Sequence, residues 1–425
     1  MGLLAIKQDQ LATRLGDMTV PAGLATARQR ALDHLRGIGL PGRRDEYWRY
    51  TDPASLTNSA APHAAVFDAS DESPVFGAID RLKIVFVDGV FDAAASDDLT
   101  LAGVEISRLA DATAPPVWAE TLYGSLELAG QTPVARPLAA LNTAYATDGV
   151  LIRVTGQAAK PISLIYVHES TTSDAILHHV IRLEPGASLT VLENGPAAAR
   201  FNKVLEVEVC DGASFHHIRA QGRDHARRAV THIFARLHAS ARFKSFTLTA
   251  NGVLTRNETV IDMVGNDAVA HVAGAAMGDG VFHHDDTVFV THAGLRGESR
   301  QVFKKVLRNG AVGVFQGKIL VKPGAQKTDG YQISQALLLD GASQFLAKPE
   351  LEIYADDVKC SHGSTSGAMD DTALFYLQSR GVPLRQAQAL LVQAFLAEAI
   401  DEIADPAIAQ DIRVRLENWL ARRAI

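Results

Sequence analysis

A faint internal repeat constrains the fold of this chain more than any other feature of its sequence. Short apolar segments of alternating polarity recur from residue 82 onward, and the tripeptide Gly-Ala-Ser accompanies them at 186–188, 212–214 and 341–343. A unit of roughly 20 to 30 residues cannot bury its inner face alone and must stack on the next unit. Glycine fits a corner with positive φ, and small residues let neighbouring units approach closely. The repeat therefore predicts a mainly β protein, a parallel β-helix (β-solenoid).

An antiparallel β-sandwich is the alternative fold for such a β-rich region. Its hairpins commonly carry Asn-Gly or Asp-Gly turns between paired strands. Two-residue hairpins built on these dipeptides are sparse for so long a β region. The solenoid is therefore the favoured interpretation.

Helical regions are predicted on both sides of the β core. Apolar spacing near 3.6 residues and capping residues predict two helices within residues 2–40 and three in the tail, at about 370–380, 383–403 and 406–422. The aromatic and arginine-rich segment 41–51 predicts a lid packed at a domain junction rather than a base-binding site. We expect an N-terminal helical region at 1–57, a flexible connection at 58–80, the β-helix core at 81–365 and a C-terminal helical domain at 366–425.

The charge balance argues against two classes of partner. The 425 residues include 41 lysines and arginines and 48 aspartates and glutamates, a net charge of −7. Such a chain is not expected to bind nucleic acid or an anionic membrane as its main partner. No apolar run approaches the roughly 18 residues of a membrane span, and a signal-peptide pattern is absent, so we expect a cytoplasmic protein.

Two segments resemble catalytic motifs without matching them. Segment 313–319, G-V-F-Q-G-K-I, is one residue shorter than a P-loop between its glycines and has Ile319 where the Mg²⁺-binding serine or threonine belongs. We therefore expect no ATP to bind to this chain. Segment 363–367, G-S-T-S-G, resembles a nucleophile elbow but has Thr365 at its centre, and it predicts a flexible turn.

Histidines are concentrated in the β region, where 12 of the 15 lie between His168 and His292. Several are adjacent pairs, and adjacent residues on a strand point to opposite faces, so each pair offers at most one imidazole to a given site. The H-x-H spacing that would place two imidazoles on one face does not occur. These histidines are predicted to occupy surface or groove positions rather than a metal site.

Residues 351–363 bring two soft ligand donors together at the end of the β region. Leu351, Ile353 and Val358 alternate with polar neighbours in a strand-like pattern that ends at Cys360 and His362. The two-residue period of a strand places both donors on one face. A thiol and an imidazole there suggest metal chemistry. Alternatively, Cys360 is a small buried apolar residue and His362 a hydrogen-bonded turn residue.

The predicted tail helices carry a wider apolar surface than one neighbour would cover. One interpretation is a cap over the open end of the solenoid, and another is a docking surface for a second protein. Both are compatible, since a cap uses only one face. We single out Phe375, Leu391 and Phe395 as candidate partner-binding residues.

Four motifs together resemble the SufB/SufD family of iron–sulfur cluster assembly proteins. They are LEIYADDVKCSHGSTSG at 351–367, DDTALFYLQSRGV at 370–382, the pattern P-x-R-x-x-E-Y-W-R-Y-T at 41–51 and KTDG at 327–330. The resemblance implies a right-handed parallel β-helix between helical terminal regions. It also implies a scaffold subunit that is not itself an enzyme and works with a SufB-like paralogue and a SufC-like ATPase.

The same resemblance implies roles for the two donors. His362 matches the family's histidine at the interface with the paralogue, where a nascent iron–sulfur cluster is thought to form, and Cys360 matches a family cysteine of less defined role. Clusters usually need about four protein ligands, so two donors predict a transient cluster shared with the paralogue. The isolated chain is a candidate homodimer.

Two other classes of function remain as hypotheses. One is a structural adaptor with no metal site of its own. The other is a β-helical carbohydrate-active enzyme, which would need paired carboxylates on one face of the solenoid, for example near Asp285 and Asp286.

Overall fold

The computed structural model describes residues 2–68, 73–111, 115–222 and 226–422. Its α-helices are α1 Leu3–Leu15, α2 Ala25–Ile38, α3 Ala54–Thr57, α4 Val117–Leu122, α5 Ser125–Ala129, α6 Pro137–Tyr145, α7 Asp371–Ser379, α8 Leu384–Ile400 and α9 Pro406–Arg422. Its strands are β1 Leu82–Val87, β2 Val90–Phe91, β3 Val104–Arg108, β4 Val150–Val154, β5 Ile162–Val167, β6 Asp174–Leu183, β7 Ser188–Asn194, β8 Arg200–Val209, β9 Ser214–Gln221, β10 Arg228–Leu237, β11 Arg242–Ala250, β12 Leu254–Met263, β13 Val269–Asp279, β14 His283–His292, β15 Glu298–Arg308, β16 Val312–Val321, β17 Asp329–Leu338, β18 Gln344–Ile353 and β19 Lys359–Gly367.

The strands form two facing sheets that are the walls of a solenoid. The ten-stranded sheet has the order β19-β17-β15-β13-β11-β9-β7-β5-β1-β2, and the nine-stranded sheet has the order β18-β16-β14-β12-β10-β8-β6-β4-β3. From β4 onward successive strands alternate between the sheets and pair in parallel with the strands of neighbouring turns. The result is a parallel β-solenoid of about seven turns with helices at both ends of the chain, which confirms the predicted fold class.

One corner of the solenoid has positive φ in successive turns. The residue two positions before each odd-numbered strand from β7 to β17 has this conformation; these residues are Gly186, Gly212, Ser240, Asp267, Arg296 and Lys327. Their backbone N–H groups bond to the next turn, as from Gly212 to the carbonyl of Ala239 at 2.8 Å. A fully buried alanine follows each of the first four corners. Only two of these corners carry glycine, which explains why the repeat is faint in the sequence.

Gly212→Val is expected to lower the free energy of unfolding by about 1–3 kcal/mol through backbone strain. An added Cβ at Gly212 meets no atom within 4 Å, so the cost arises from its φ of +65°. Gly324 is the matched control, because an added Cβ there also meets nothing within 4 Å while its φ lies outside the left-handed region. Urea unfolding of Gly212→Val and Gly324→Val is the measurement. Equal midpoints for the two variants would contradict the strain assigned to the Gly212 corner.

The three largest apolar clusters make up most of the core. The first fills the interior between the two sheets and includes Leu205 and Phe243. The second packs α2 and the helices α4 to α6 against the outer face of the nine-stranded sheet. The third packs α8 and α9 against the outer face of the ten-stranded sheet. Each sheet is therefore covered on both faces along much of its length, as parallel sheets require.

A helical insertion, α4 to α6, interrupts the β region, and apart from Pro137 at the start of α6 it lacks the patterns that predict helices. All nine residues of α6 are buried, so that helix has no amphipathic stripe. Gly124 is the N-cap residue of the adjoining α5, and its N–H, with those of Leu126 and Glu127, donates to the buried carboxylate of Glu206 at 2.5 to 2.9 Å. A long-range side chain thus replaces the local capping residue on which sequence patterns depend.

The N-terminal segment packs on the solenoid as the lid interpretation expects. Tyr47 and Trp48 are buried, the Tyr47 ring lies 5.1 Å from that of Phe289, and the Arg256 guanidinium lies 4.2 Å from the Trp48 ring. Part of the predicted flexible connection at 58–80 is also packed. Phe76 is fully buried in the cluster that holds α9. Residues 69–72 of that connection lie outside the described residues.

The tail forms the three predicted helices, but its predicted role as a cap is wrong. Asp370 caps α7, accepting the N–H groups of Thr372 and Ala373 at 2.8 and 3.2 Å. Val392 and Leu396 of α8 are fully buried in the cluster on the outer face of the ten-stranded sheet. The apolar width of α8 therefore reflects contacts with the side of the solenoid, and the end of the solenoid stays uncovered by these helices.

Residues 351–363 do not form one continuous strand. β18 ends at Ile353 in the nine-stranded sheet, the chain turns through 354–358, and β19 begins at Lys359 in the ten-stranded sheet. Segment 363–367, predicted as a turn, belongs to β19. Segment 313–319 lies within β16. Both segments contain two glycines and have little strand propensity of their own at those positions. They form strands because each pairs with the neighbouring turn of the solenoid.

The predicted surface or groove positions of the histidines are wrong for most of them. Seven of the twelve are at most 4% exposed, namely His168, His178, His179, His217, His232, His284 and His292. Adjacent pairs do split between the two faces of a strand, since His178 bonds to Glu206 at 2.8 Å outside the solenoid and His179 bonds to Tyr166 at 3.0 Å inside it. Burial lowers the pKa of His179 to about 3 and that of His292 to about 4.

Candidate functional site

The solenoid ends at two strands that each pair on one side only. Within the described chain, β18 pairs with β16 and β19 with β17, and no strand continues either sheet. Every residue of both strands is half-buried or exposed, whereas most residues of β16 are buried. An unpaired strand presents N–H and C=O groups that can hydrogen-bond to another chain. We call β18 and β19 the open end.

Cys360 lies on the inner face of β19, paired in register with Gly330. An added Cβ at Gly330 would lie 3.2 Å from its Sγ, and the thiol packs beside a small apolar cluster that includes Ile319 and Ala355. Burial raises the pKa of the Cys360 thiol, and Asp329 adds to the effect. The thiolate is the metal-binding form of cysteine, so this raised pKa disfavours that form in the free chain.

His362 lies two residues further along β19 and is exposed. Its register partner Gln332 is fully buried and donates through Nε2 to Oε1 of Gln301 at 2.7 Å inside the solenoid. The same register places His362 on the inner face of β19, the face that Cys360 also occupies. Cys360 and His362 lie on the same face because both belong to β19 and are two residues apart. Unlike the buried histidines, His362 is accessible from outside the chain.

The two donors do not assemble a complete cluster site. Among the described residues there is no group of three or more histidine, cysteine, aspartate or glutamate side chains placed to hold a metal ion. Iron–sulfur clusters usually take about four protein ligands. Cys360 and His362 alone therefore fall short of such a ligand set.

The carboxylates proposed for a carbohydrate-active enzyme point to opposite faces of β14. Asp285 faces outward, where Thr51 donates to it at 2.6 Å and Arg256 pairs with it. Asp286 faces the interior and pairs with Lys305 at 2.6 Å. Both are buried, so they do not flank a cleft in which a sugar could lie between two carboxylates. This arrangement removes the observation on which the enzyme hypothesis depended.

A second candidate surface lies where α8 meets the ends of β17 and β19. Leu391, Phe395, Leu337 and Met369 line a groove of about 400 Å³ there, which we call the C-terminal groove. The adjoining α7 has no buried residue, and its Phe375 is 72% exposed. Exposed aromatic residues beside an apolar groove are typical of protein interaction sites.

No described helix is long and apolar enough to cross a membrane. Two surface features stand out, namely an open β-edge with an accessible histidine and an apolar groove beside the terminal helices. The fold and these two surfaces define a β-solenoid protein whose candidate sites are surfaces suited to binding other chains.

Comparison with known proteins identifies the family. The family model described as SUF system FeS cluster assembly, SufBD core domain, matches residues 166–395. The chain is 28% identical to the iron–sulfur cluster assembly protein SufD of Escherichia coli K12, over 92% of each chain. It is 26% identical to the SufD protein of Bacillus subtilis over 94% of each chain. The chain belongs to the SufBD core family of the SUF iron–sulfur cluster assembly system.

Proposed function

We propose that this chain is a scaffold subunit of an iron–sulfur cluster assembly complex, and that its open end binds a SufB-like paralogue. The observation that carries the proposal is the exposed His362 on the inner face of β19, at a sheet edge that lacks a partner strand in the described chain. A second solenoid with an open end of its own could continue both sheets by pairing with β18 and β19. In the isolated chain, the same edges would support a homodimer.

The cargo of the complex is a nascent iron–sulfur cluster that is held transiently between the two subunits. His362 is the ligand that this chain contributes, because a neutral imidazole binds iron and is accessible there. Cys360 is the weaker candidate, since burial raises the pKa of its thiol. The remaining ligands come from the paralogue, which is why the described residues hold no larger cluster of donors.

A separate SufC-like ATPase supplies the energy for a conformational cycle in this proposal. Segment 313–319 lies within β16 and so does not form a phosphate-binding loop before a helix. The C-terminal groove and α7 are the docking surface for this ATPase, with Phe375, Leu391 and Phe395 as contact residues. The complex is expected to work in the cytoplasm.

Phe375→Asp is expected to weaken binding of the ATPase by at least about tenfold, because it places a charge at the centre of an apolar contact. This variant is preferable to deletion of the tail, since α8 and α9 help to cover the solenoid and their loss would expose its outer face. Val281→Asp is the matched control, as Val281 is 80% exposed on the solenoid and lies outside the C-terminal groove.

The measurement is co-purification of each variant with the paralogue and the ATPase. Phe375→Asp should retain the paralogue and lose the ATPase, and Val281→Asp should retain both. Retention of the ATPase at wild-type affinity by Phe375→Asp would contradict the docking surface. Loss of the paralogue with retention of the ATPase would mean that α7 contacts the paralogue, and it would also contradict the docking surface.

A further inference from the structure

Two buried glutamines form a side-chain ladder that leads to His362. Gln301, Gln332 and His362 occupy one register position on β15, β17 and β19. Gln301 and Gln332 are fully buried and share one hydrogen bond, from Nε2 of Gln332 to Oε1 of Gln301 at 2.7 Å. In a stacked amide ladder each amide donates to one neighbouring strand and accepts from the other. The strand next to Gln332 on the accepting side is β19, and its residue at this position is His362.

The ladder lacks a donor at Gln332. The Oε1 atom of Gln332 is buried and has no hydrogen-bond partner within the described chain. Buried polar atoms in proteins nearly always have a partner, so an unpaired acceptor beneath an accessible histidine requires an explanation. A ring N–H of His362 is a donor of the right kind at the right register position.

Gly317 makes room for the amide of Gln332. It lies on β16 of the opposite sheet, and an added Cβ there would lie 2.3 Å from Nε2 and 2.7 Å from Cδ of Gln332. Any other residue at this position would push the amide away. The second glycine of the P-loop-like segment therefore has a structural role that concerns Gln332 rather than a nucleotide.

We propose that Gln332 is a positioning residue for His362, with its Oε1 accepting a hydrogen bond from one ring nitrogen so that the other ring nitrogen faces the cargo at the open end. The part of this inference that concerns iron depends on the proposed function. A histidine that binds a metal usually donates its second ring N–H to an acceptor, which fixes the tautomer and the ring orientation. Gln332 supplies this acceptor from within the chain itself.

The hydrogen bond is tested in the full chain without iron or partners. Ring ¹⁵N chemical shifts of His362, assigned with His362→Ala, report the ratio of its two neutral tautomers in mildly alkaline buffer. Gln332→Met removes the acceptor at similar volume and is expected to change this ratio by about fivefold. Gly317→Ala, which displaces the amide, should act in the same direction. Gln301→Met retains the acceptor and is the control. A ratio that neither Gln332→Met nor Gly317→Ala changes would overturn the proposal.

The consequence for the cargo is tested in the complex with the paralogue and the ATPase. Gln332→Met should lower iron and acid-labile sulfide per complex by at least about tenfold, and Gln332→Glu, which retains an acceptor oxygen, should restore much of the loss. In the His362→Ala background, Gln332→Met should have no further effect. An equal loss in both backgrounds would mean that Gln332 is only structural and would overturn the proposal. If His362→Ala keeps the cluster while the tautomer ratio still responds to Gln332→Met, the positioning stands and the proposed function fails.

Discussion

Replacing Glu258 by alanine is expected to destabilise the protein by about 3–5 kcal/mol, because it leaves two buried arginines without their shared carboxylate. Glu258 lies on the outer face of β12 and binds Nε of Arg136 at 3.0 Å and Nε of Arg256 at 2.8 Å. Both arginine side chains are 1% exposed. Burial alone would raise the pKa of Glu258, but Arg256, His232 and Arg136 hold it at about 2.

The position of Glu258 explains why one side chain has such a large effect. Arg136 precedes α6, and Arg256 donates to the backbone carbonyl of Tyr47 at 2.8 Å, so Glu258 links the solenoid to both the helical insertion and the N-terminal segment. Glu105→Ala is the matched control, because Glu105 pairs with Arg153 at the surface at 3.6 Å and its loss should leave the urea midpoint nearly unchanged. A loss of stability in Glu258→Ala no larger than in the control would contradict the assigned role.

Stability is expected to fall steeply between about pH 6.5 and pH 4.5, by about 1.4 kcal/mol per pH unit for each histidine that stays neutral in the folded chain. Burial lowers the folded pKa of His179 to about 3 and those of His216, His232 and His292 to about 4, so these four histidines stay neutral in the folded chain over most of this window. Unfolding frees them to bind protons near their ordinary pKa of about 6.5, so their effect is absent above that pH and grows as the pH falls.

Other titratable groups change the pH dependence of stability little between about pH 6.5 and pH 4.5. The lowered pKa values of Glu258 and Asp286 cost stability only below the ordinary carboxyl range, at lower pH. Burial raises the pKa of Glu127 to about 7. Its folded form therefore binds one more proton than its unfolded form in this window, which offsets the effect of one histidine on the slope.

Urea unfolding at several pH values measures the slope of the free energy of unfolding against pH. His292→Gln should reduce it by one proton, and the exposed His63→Gln should not. A stability independent of pH in this window would contradict the neutral, buried state of the histidines.

The solenoid could be predicted because its repeat is a consequence of stacking. Gly186 and Gly212 mark corners with positive φ, and the apolar alternation around them matches strands that face a shared interior. The insertion α4 to α6 could not be predicted in the same way. Every residue of α6 is buried, so that helix shows no amphipathic pattern. The N-terminus of α5 is capped by Glu206, some 80 residues away in the chain. Local patterns carry no information on such long-range contacts.

The candidate site was predictable in part for a related reason. Two-residue spacing was enough to place Cys360 and His362 on one face, because both belong to β19. The turn between β18 and β19 was not predicted. The strands on both sides of it have the same two-residue alternation, so the pattern from Leu351 to His362 resembles one continuous strand. The role inferred for Gln332 depends on register 30 residues away, which only the folded chain reveals.

Iron and acid-labile sulfide per complex, measured after anaerobic co-expression with the paralogue and the ATPase, test the central claim most directly. His362→Ala should leave folding and assembly intact and lower both quantities by at least about tenfold, since it removes a ligand at the shared interface. Cys360→Ala should have a smaller effect, because burial raises the pKa of that thiol. Loss of the cluster in Cys360→Ala with retention in His362→Ala would reverse the two roles. Unchanged iron and sulfide in both variants would contradict the account and leave this chain as an adaptor whose partner holds the site alone.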